Sequence, residues 1–338
     1  MATAPDFHVI SGETVFNVIE ANKQKIFEAV EAAYRLHAAE DSVNPDSYFL
    51  RYPDKPRNRI IALPAHLGGA VQKSGIKWIS SFPGNTAANL ARASAVQILN
   101  DAETGYPVAC MEASVISATR TAASAALAAE YMSPTPFEGT LCVVGTGIIA
   151  RTTLEWLMFR GWKFSEIQLF DLSADEAGHL SRWLEEKYGV TVRIRDSLEK
   201  AIQASSLVLF TTTALEPYLN DASVFSHNPT VLHVSLRDVG VDVILSAQNI
   251  LDDIDHCLKA NTSPHLTEMQ TGNRDFISGV LVDIMEKKVS VDANRPRVFS
   301  PFGLGVLDIA VSNLVLEQAI ASKAAVPVPN FFFNASRW

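Results

Sequence analysis

Cysteine is scarce: Cys110, Cys142 and Cys257 are the only thiols in 338 residues. Three scattered cysteines cannot form a disulfide framework, and no Cys/His spacing suits a zinc ion, so no metal is expected and the thiols read as small buried apolar residues. Positive charge is also in deficit. With 28 Lys and Arg against 37 Asp and Glu, the formal net charge is −9. Nucleic acid and anionic membrane surfaces are bound through positive fields, so neither is an expected partner. No uncharged apolar run is long enough to span a bilayer, and the opening MATAPDFHVISGETVF has no basic flank followed by an apolar core, so a cytoplasmic protein is expected. Internal repeats and low-complexity segments are lacking too. What remains is an ordinary globular composition, 48% hydrophobic and 19% charged, in a chain long enough for two cores.

The most informative stretch runs from Gly139 to Asp171. Leu141 to Val144 is a short apolar run suited to a buried parallel strand, and Gly145-Thr146-Gly147-Ile148-Ile-Ala150 then opens a helix. Gly145 permits a tight turn, Gly147 lets backbone approach a pyrophosphate, and small Ala150 allows close packing of helix on strand. The helix N-terminus supplies free N–H donors. A second strand, Ile167 to Phe170, ends in Asp171, whose carboxylate would accept from ribose hydroxyls and repel a 2′-phosphate, favouring NAD over NADP. Strand, glycines, helix, strand and acid in that order make a dinucleotide site the expectation, with Gly145, Thr146, Gly147, Ile148 and Asp171 at the cofactor.

Elsewhere the pattern divides into two regions. A strand near Phe7 to Ile10 and a helix from Glu13 to Ala38 precede strands at Ser47–Arg51, Arg59–Leu63, Gly75–Ser81, Ala93–Asn100 and Val108–Glu112. An Ala-rich helix, Ser117 to Met132, is expected to stop at Ser133-Pro-Thr-Pro136. After Asp171 helices and strands alternate: helix Ser173–Tyr188, strand Thr191–Arg195, helix Ser197–Ala204 capped by Ser197, and strands Leu207–Thr211 and Thr230–Ser235. A final helix, Leu304 to Ser322, has no strand to return to and is expected against the N-terminal region. The fold class is therefore α/β: a Rossmann-type doubly wound parallel sheet over 126–306, and a discontinuous α+β domain for substrate binding and dimerisation over 1–125 and 307–338.

Basic residues of the N-terminal region stand in unusual settings. Lys77 interrupts the apolar strand Gly75-Ile-Lys-Trp-Ile, and Arg120 opens a helix of Ala, Thr, Ser and Leu. A buried cation needs an anionic partner. Each alone also fits a structural salt bridge; together with Arg51 and a nicotinamide cofactor they read as a clamp for substrate carboxylates. Asp238 follows the C-terminal end of a parallel strand, where doubly wound sheets bind ligands, and serves there as a general base or as a loop-capping acid.

Beyond the nucleotide fold, Gly75-Ile-Lys-Trp-Ile with Phe82-Pro-Gly-Asn85, Asn100-Asp-Ala-Glu-Thr-Gly-Tyr-Pro107, Ala118-Thr-Arg-Thr-Ala-Ala123 and Val298-Phe-Ser-Pro-Phe-Gly303 resemble the ornithine cyclodeaminase/mu-crystallin family over nearly the whole chain. The resemblance implies that Arg51, Lys77 and Arg120 bind substrate carboxylates, that Lys77 and Asp238 are catalytic, and that Arg92, Arg120, Thr211, Ser235 and Leu236 join the glycine loop at NAD. Arg92 stands where several relatives have Thr. It also implies a homodimer acting on a small amino acid. Ile61 occupies the place of an acid found in ornithine-specific members. Ser47-Tyr-Phe-Leu-Arg-Tyr-Pro-Asp-Lys-Pro56, Ser235-Leu-Arg-Asp238 and Asp255-His-Cys-Leu-Lys-Ala-Asn-Thr-Ser-Pro-His265 are similar to a subgroup from siderophore and peptide-antibiotic pathways. That subgroup oxidises N-(2-amino-2-carboxyethyl)-L-glutamate and releases L-2,3-diaminopropionate and 2-oxoglutarate. The alternatives are an ornithine cyclodeaminase, an amino-acid or imine dehydrogenase, or a non-enzymatic binding protein of mu-crystallin type.

Overall fold

The computed structural model of the chain describes residues 5–133 and 138–333; the Pro134–Pro136 stop expected after the Ala-rich helix lies outside them. The chain forms two compact units, one comprising residues up to Arg120 together with those from Leu304 on, the other Thr121–Gly303.

The first unit is built on an eight-stranded sheet. Its order is Val326–Val328, Phe7–Ile10, Pro107–Glu112, Ala93–Asp101, Lys73–Ser81, Lys55–Leu67 and Ser42–Val43, with Tyr48–Tyr52 also paired to Lys55–Leu67. All pairings are antiparallel except that of Phe7–Ile10 with Pro107–Glu112. Side chains alternate between faces, so one face carries Leu67, Lys77, Gln97, Leu99 and Met111, all buried, and helix Gly305–Ala321 packs against it. That helix is buried along nearly its whole length, and the Asn44 side chain accepts from Gly305 N at 2.8 Å and Val306 N at 3.3 Å, satisfying its first turn.

Two expectations for this unit need correction. The helix expected from Glu13 to Ala38 is two, Gly12–Ala21 and Lys23–Ala38, because Asn22 leaves helical geometry at φ −128° while its amide donates to Val18 O. The final helix does have a strand to return to: Val326–Val328 pairs antiparallel with Phe7–Ile10 at the sheet edge, where Pro327 costs no ladder hydrogen bond.

The second unit holds an eight-stranded sheet in the order Val192–Ile194, Lys163–Phe170, Glu138–Val144, Leu207–Phe210, Thr230–His233, Arg297–Ser300, Gln248–Leu251 and Ile277–Val280. Every pairing is parallel. Leu141 to Val144 and Leu207–Phe210 are fully buried apolar runs, as a sheet covered on both faces requires. Ser173 and Ser197 cap helices Ala174–Tyr188 and Leu198–Gln203 as their positions suggest, each accepting from the backbone N–H three residues on. From Glu138–Val144 the chain turns first to one side, to Lys163–Phe170, and later to the other, to Leu207–Phe210. The crevice at that reversal is where doubly wound sheets take ligands. Among the described residues no helix is long and apolar enough to cross a membrane, and no cluster of His, Cys, Asp or Glu could hold a metal ion.

Candidate functional site

In the second unit the glycine loop sits at the reversal of strand order. Gly145 adopts φ +84°, and a Cβ there would stand 2.9 Å from Thr211 O, so both conformation and space call for glycine. Gly147 is the N-cap of helix Ile148–Phe159 and has no side-chain capping bond, and a Cβ on it would meet nothing within 4 Å. The first-turn N–H groups therefore face open space, where a pyrophosphate fits. Ala150 is fully buried against the sheet. Asp171 ends strand Lys163–Phe170, and its carboxylate accepts from Thr146 N at 2.7 Å, Thr146 Oγ1 at 2.8 Å and Ser173 N at 2.9 Å. These bonds hold the acid beside the loop with acceptor capacity left for a ribose hydroxyl. Thr211 Oγ1 donates to Gly145 O at 2.7 Å, fixing the turn from the neighbouring strand. The residues present fit a dinucleotide.

One strand further, Thr230–His233 leads into Ser235, Leu236 and Asp238. Leu236 is held at φ +78°, a strained value for a residue with a Cβ, and its carbonyl accepts from Ser263 N at 2.8 Å. Arg237 turns onto backbone carbonyls, donating through Nε to Asn261 O at 3.1 Å. Asp238 is completely buried. The hydroxyls of Thr212, Ser235 and Tyr218 donate to it, the last at 2.8 Å. His233, also fully buried, places Nε2 at 3.2 Å from Asp238 Oδ2 and 3.1 Å from Asp238 N, with Nδ1 3.1 Å from Ser300 Oγ. The backbone N–H can donate only to a lone pair, which puts the ring proton on Nδ1 toward Ser300; a proton arriving at Nε2 would instead bridge to Oδ2. Burial pushes the Asp238 carboxyl up, but a protonated His233, by hydrogen bond and charge, and then the Ser235 and Thr212 hydroxyls outweigh it and bring it to about 2.

The first unit assembles cations. Lys77 Nζ donates to Asp308 Oδ2 at 2.7 Å and to Ser117 Oγ at 3.1 Å, and Arg120 Nε donates to Asp308 Oδ1 at 3.3 Å. Lys77 and Asp308 side chains are each 1% exposed and Arg120 11%. Two cations on one carboxylate leave a net positive charge. Burial, then the Arg120 guanidinium, lower Lys77 from 10.5 to about 8 against the opposing pull of Asp308. Arg51 is not brought into this cluster. It lies on the same sheet face but is exposed, its guanidinium 5.0 Å from the Phe49 ring centroid. Arg51 pairs with Arg59 and Arg59 with Ser81, four residues along from Lys77, which sets their backbones on the order of 15 Å apart. Arg92 donates through Nη1 to Ser81 Oγ at 3.0 Å, at that same end of the strands.

Asp308, Thr212, Tyr218 and His233 escape a reading of the sequence. Only Asp308 leaves a signal there: helix Gly305–Ala321 carries just one other charged residue, Glu317, so an acid in its apolar first turn is the mirror image of the lysine in its apolar strand.

The model of the ornithine cyclodeaminase/mu-crystallin family matches residues 13–323. Over 309 residues the chain is 28% identical to the N-((2S)-2-amino-2-carboxyethyl)-L-glutamate dehydrogenase of Staphylococcus aureus, covering 88% of this chain and 91% of that one. It is 26% identical to the alanine dehydrogenase of Archaeoglobus fulgidus, covering 96% and 98%. The structure of Thermococcus litoralis Delta(1)-pyrroline-2-carboxylate reductase in complex with NADH and L-proline shares the fold, with a TM-score of 0.86 at 21% identity and coverage of 95% and 99%.

Proposed function

The chain belongs to the ornithine cyclodeaminase/mu-crystallin family, and we propose that within it the protein is an NAD-dependent dehydrogenase that oxidises N-(2-amino-2-carboxyethyl)-L-glutamate and hydrolyses the product to L-2,3-diaminopropionate and 2-oxoglutarate. The observation that carries this reading is the buried Lys77–Asp308–Arg120 cluster, whose surplus positive charge suits a substrate with several carboxylates. The Staphylococcus aureus relative named for this reaction supports it. Gly145, Thr146, Gly147 and Ile148 hold the pyrophosphate, Asp171 the adenosine ribose, and Thr211, Ser235, Leu236 and Arg92 complete the cofactor contacts. NAD, when bound, accepts the hydride.

Lys77 and Arg120 bind substrate carboxylate and orient the glutamate Cα–H; a fixed orientation lowers the entropic part of the barrier. Arg51 contributes at longer range to a second carboxylate. Loss of hydride from the carbon bearing the secondary amine leaves an iminium, and water then adds to that carbon. Asp238 takes the water proton. With the ring neutral, His233 Nε2, 3.2 Å from Oδ2, receives that proton in turn. When the carbinolamine collapses, that proton returns to the amine nitrogen as the C–N bond breaks, the hydroxyl proton passes to Asp238 as the C=O forms, and 2-oxoglutarate and diaminopropionate leave. Incubating the protein with NAD and this substrate is expected to give NADH and 2-oxoglutarate in equal amounts. Cyclodeamination would accumulate no NADH, and NADH without 2-oxoglutarate would indicate a simple amino-acid or imine dehydrogenase; either result overturns the assignment.

Lys77 also sets a pH limit. Its charged form grips the substrate and is lost as pH rises through about 8. The logarithm of kcat/KM is therefore expected to fall above that pH with a slope approaching one, while NAD affinity measured by fluorescence titration stays level.

The working protein is a homodimer. Tyr48, Ala62, Trp78 and Val96 form a transverse row across four strands on the sheet face opposite Lys77. Tyr48 is 71% exposed, Trp78 42% and Val96 40%, and such an apolar sheet face suits a second copy of the same chain. Trp78→Arg is expected to halve the mass measured by light scattering; an unchanged mass would place the interface elsewhere.

A further inference from the structure

At the sheet edge opposite the glycine loop, a cavity of about 530 Å³ opens beside the first residues of the central parallel strands, with Thr140, Gln203, His227, Asn228, Thr230 and Arg297 among its lining. Thr140 and Gly145 belong to the same strand and the turn that follows it, which separates this cavity from the dinucleotide loop by about 16 Å. The volume lies within the ordinary range of small-molecule sites.

Arg297 is the unusual member. It is only 4% exposed, yet its partners are neutral: Nε donates to Thr230 Oγ1 at 3.2 Å and Nη2 to Asn228 O at 2.8 Å. Among the described residues Nη1 has no hydrogen-bond partner and no carboxylate lies within ion-pair distance of the guanidinium; Asp292, paired with Arg295 at 3.1 Å, acts on it only through charge at longer range. A buried cation with no carboxylate in contact is costly, and an arginine with a free donor is shaped for the oxygens of a carboxylate or phosphate. In a chain of net charge −9, no acidic residue is among those described as lining this cavity. His227 Nε2 donates to Ser205 O at 2.8 Å, which makes its Nδ1 an acceptor, so the Asn228 amide is the neighbouring donor at the cavity.

We propose that this cavity is a second ligand site, for the oxyanionic group of a small phosphorylated or carboxylated metabolite held by Arg297 with the Asn228 amide. It is independent of the reaction assigned above.

The test is calorimetric titration of the full-length protein, saturated with NAD so that the glycine loop is occupied, with inorganic phosphate and separately with citrate at constant ionic strength. Saturable binding of at least one anion, near one per chain, is expected, and the preferred anion distinguishes a phosphoryl from a carboxylate ligand. Gln203→Glu alters an exposed lining residue and sets a negative charge at the cavity; it should weaken binding at least fivefold. Arg297→Lys, which keeps the charge and loses the two-pronged geometry, should weaken it at least tenfold. Absence of saturable binding, binding of equal strength in wild type and Gln203→Glu, or binding seen only when NAD is omitted would each overturn the proposal. Because Gln203 is at the surface, that variant decides the matter even if Arg297→Lys folds poorly.

Discussion

Asp308→Asn is expected to lower the unfolding free energy by about 3–5 kcal/mol, the usual penalty for removing one partner of a buried ion pair. Lys77 and Asp308 are each 1% exposed and 2.7 Å apart, so asparagine leaves an ammonium beneath the sheet face with no anion to balance it or Arg120. Lys77 can relieve the strain by losing its proton, since burial already holds it near 8, but then the charge proposed to bind substrate carboxylate is lost. Stability in urea and kcat/KM should therefore fall together. The double replacement Lys77→Met with Asp308→Leu removes both charges and should recover most of the stability while remaining inactive, because apolar residues of similar volume often replace buried pairs without loss. Wild-type stability in Asp308→Asn would mean that Lys77 is held by something else.

Asp238→Asn is expected to reduce kcat by about 10²–10⁴, the range for losing a positioned acid–base group. The amide keeps the shape but cannot take the water proton, and it presents a donor where the hydroxyls of Thr212, Ser235 and Tyr218 now donate. The loss should fall on hydrolysis. In a single turnover NADH should still appear, with release of 2-oxoglutarate delayed, and His233→Gln should show the same separation in milder form. Equal slowing of both products would assign Asp238 to substrate placement instead.

These two variants also show what could be read from the chain alone. Lys77 announces itself as a charge inside an apolar strand, so the need for an anion is legible, but its partner lies 231 positions away in sequence and no local pattern connects them. The cluster around Asp238 is hidden for a related reason: Thr212 and Tyr218 follow strand Leu207–Phe210, His233 ends the neighbouring strand Thr230–His233, and they meet only because the sheet aligns its strand ends. The glycine loop is fully legible, since turn, strand, helix cap and acid are all local. Strands Gln248–Leu251, Ile277–Val280 and Arg297–Ser300 are not, because each has only four residues and their polar side chains mask the apolar signal. Gln248 and Asn249 are buried there by bonding backbone groups outside the strand, which tertiary structure alone supplies.

Hydride is expected to leave the glutamate Cα of a carboxylate-rich amine for NAD. The most direct measurement is the mass of the reduced cofactor formed from substrate carrying deuterium at that carbon. NADH one mass unit heavier, formed in equal amount with 2-oxoglutarate, is expected. Unlabelled NADH, or deuterium retained in an amino-acid product with no net reduction of NAD, would contradict it.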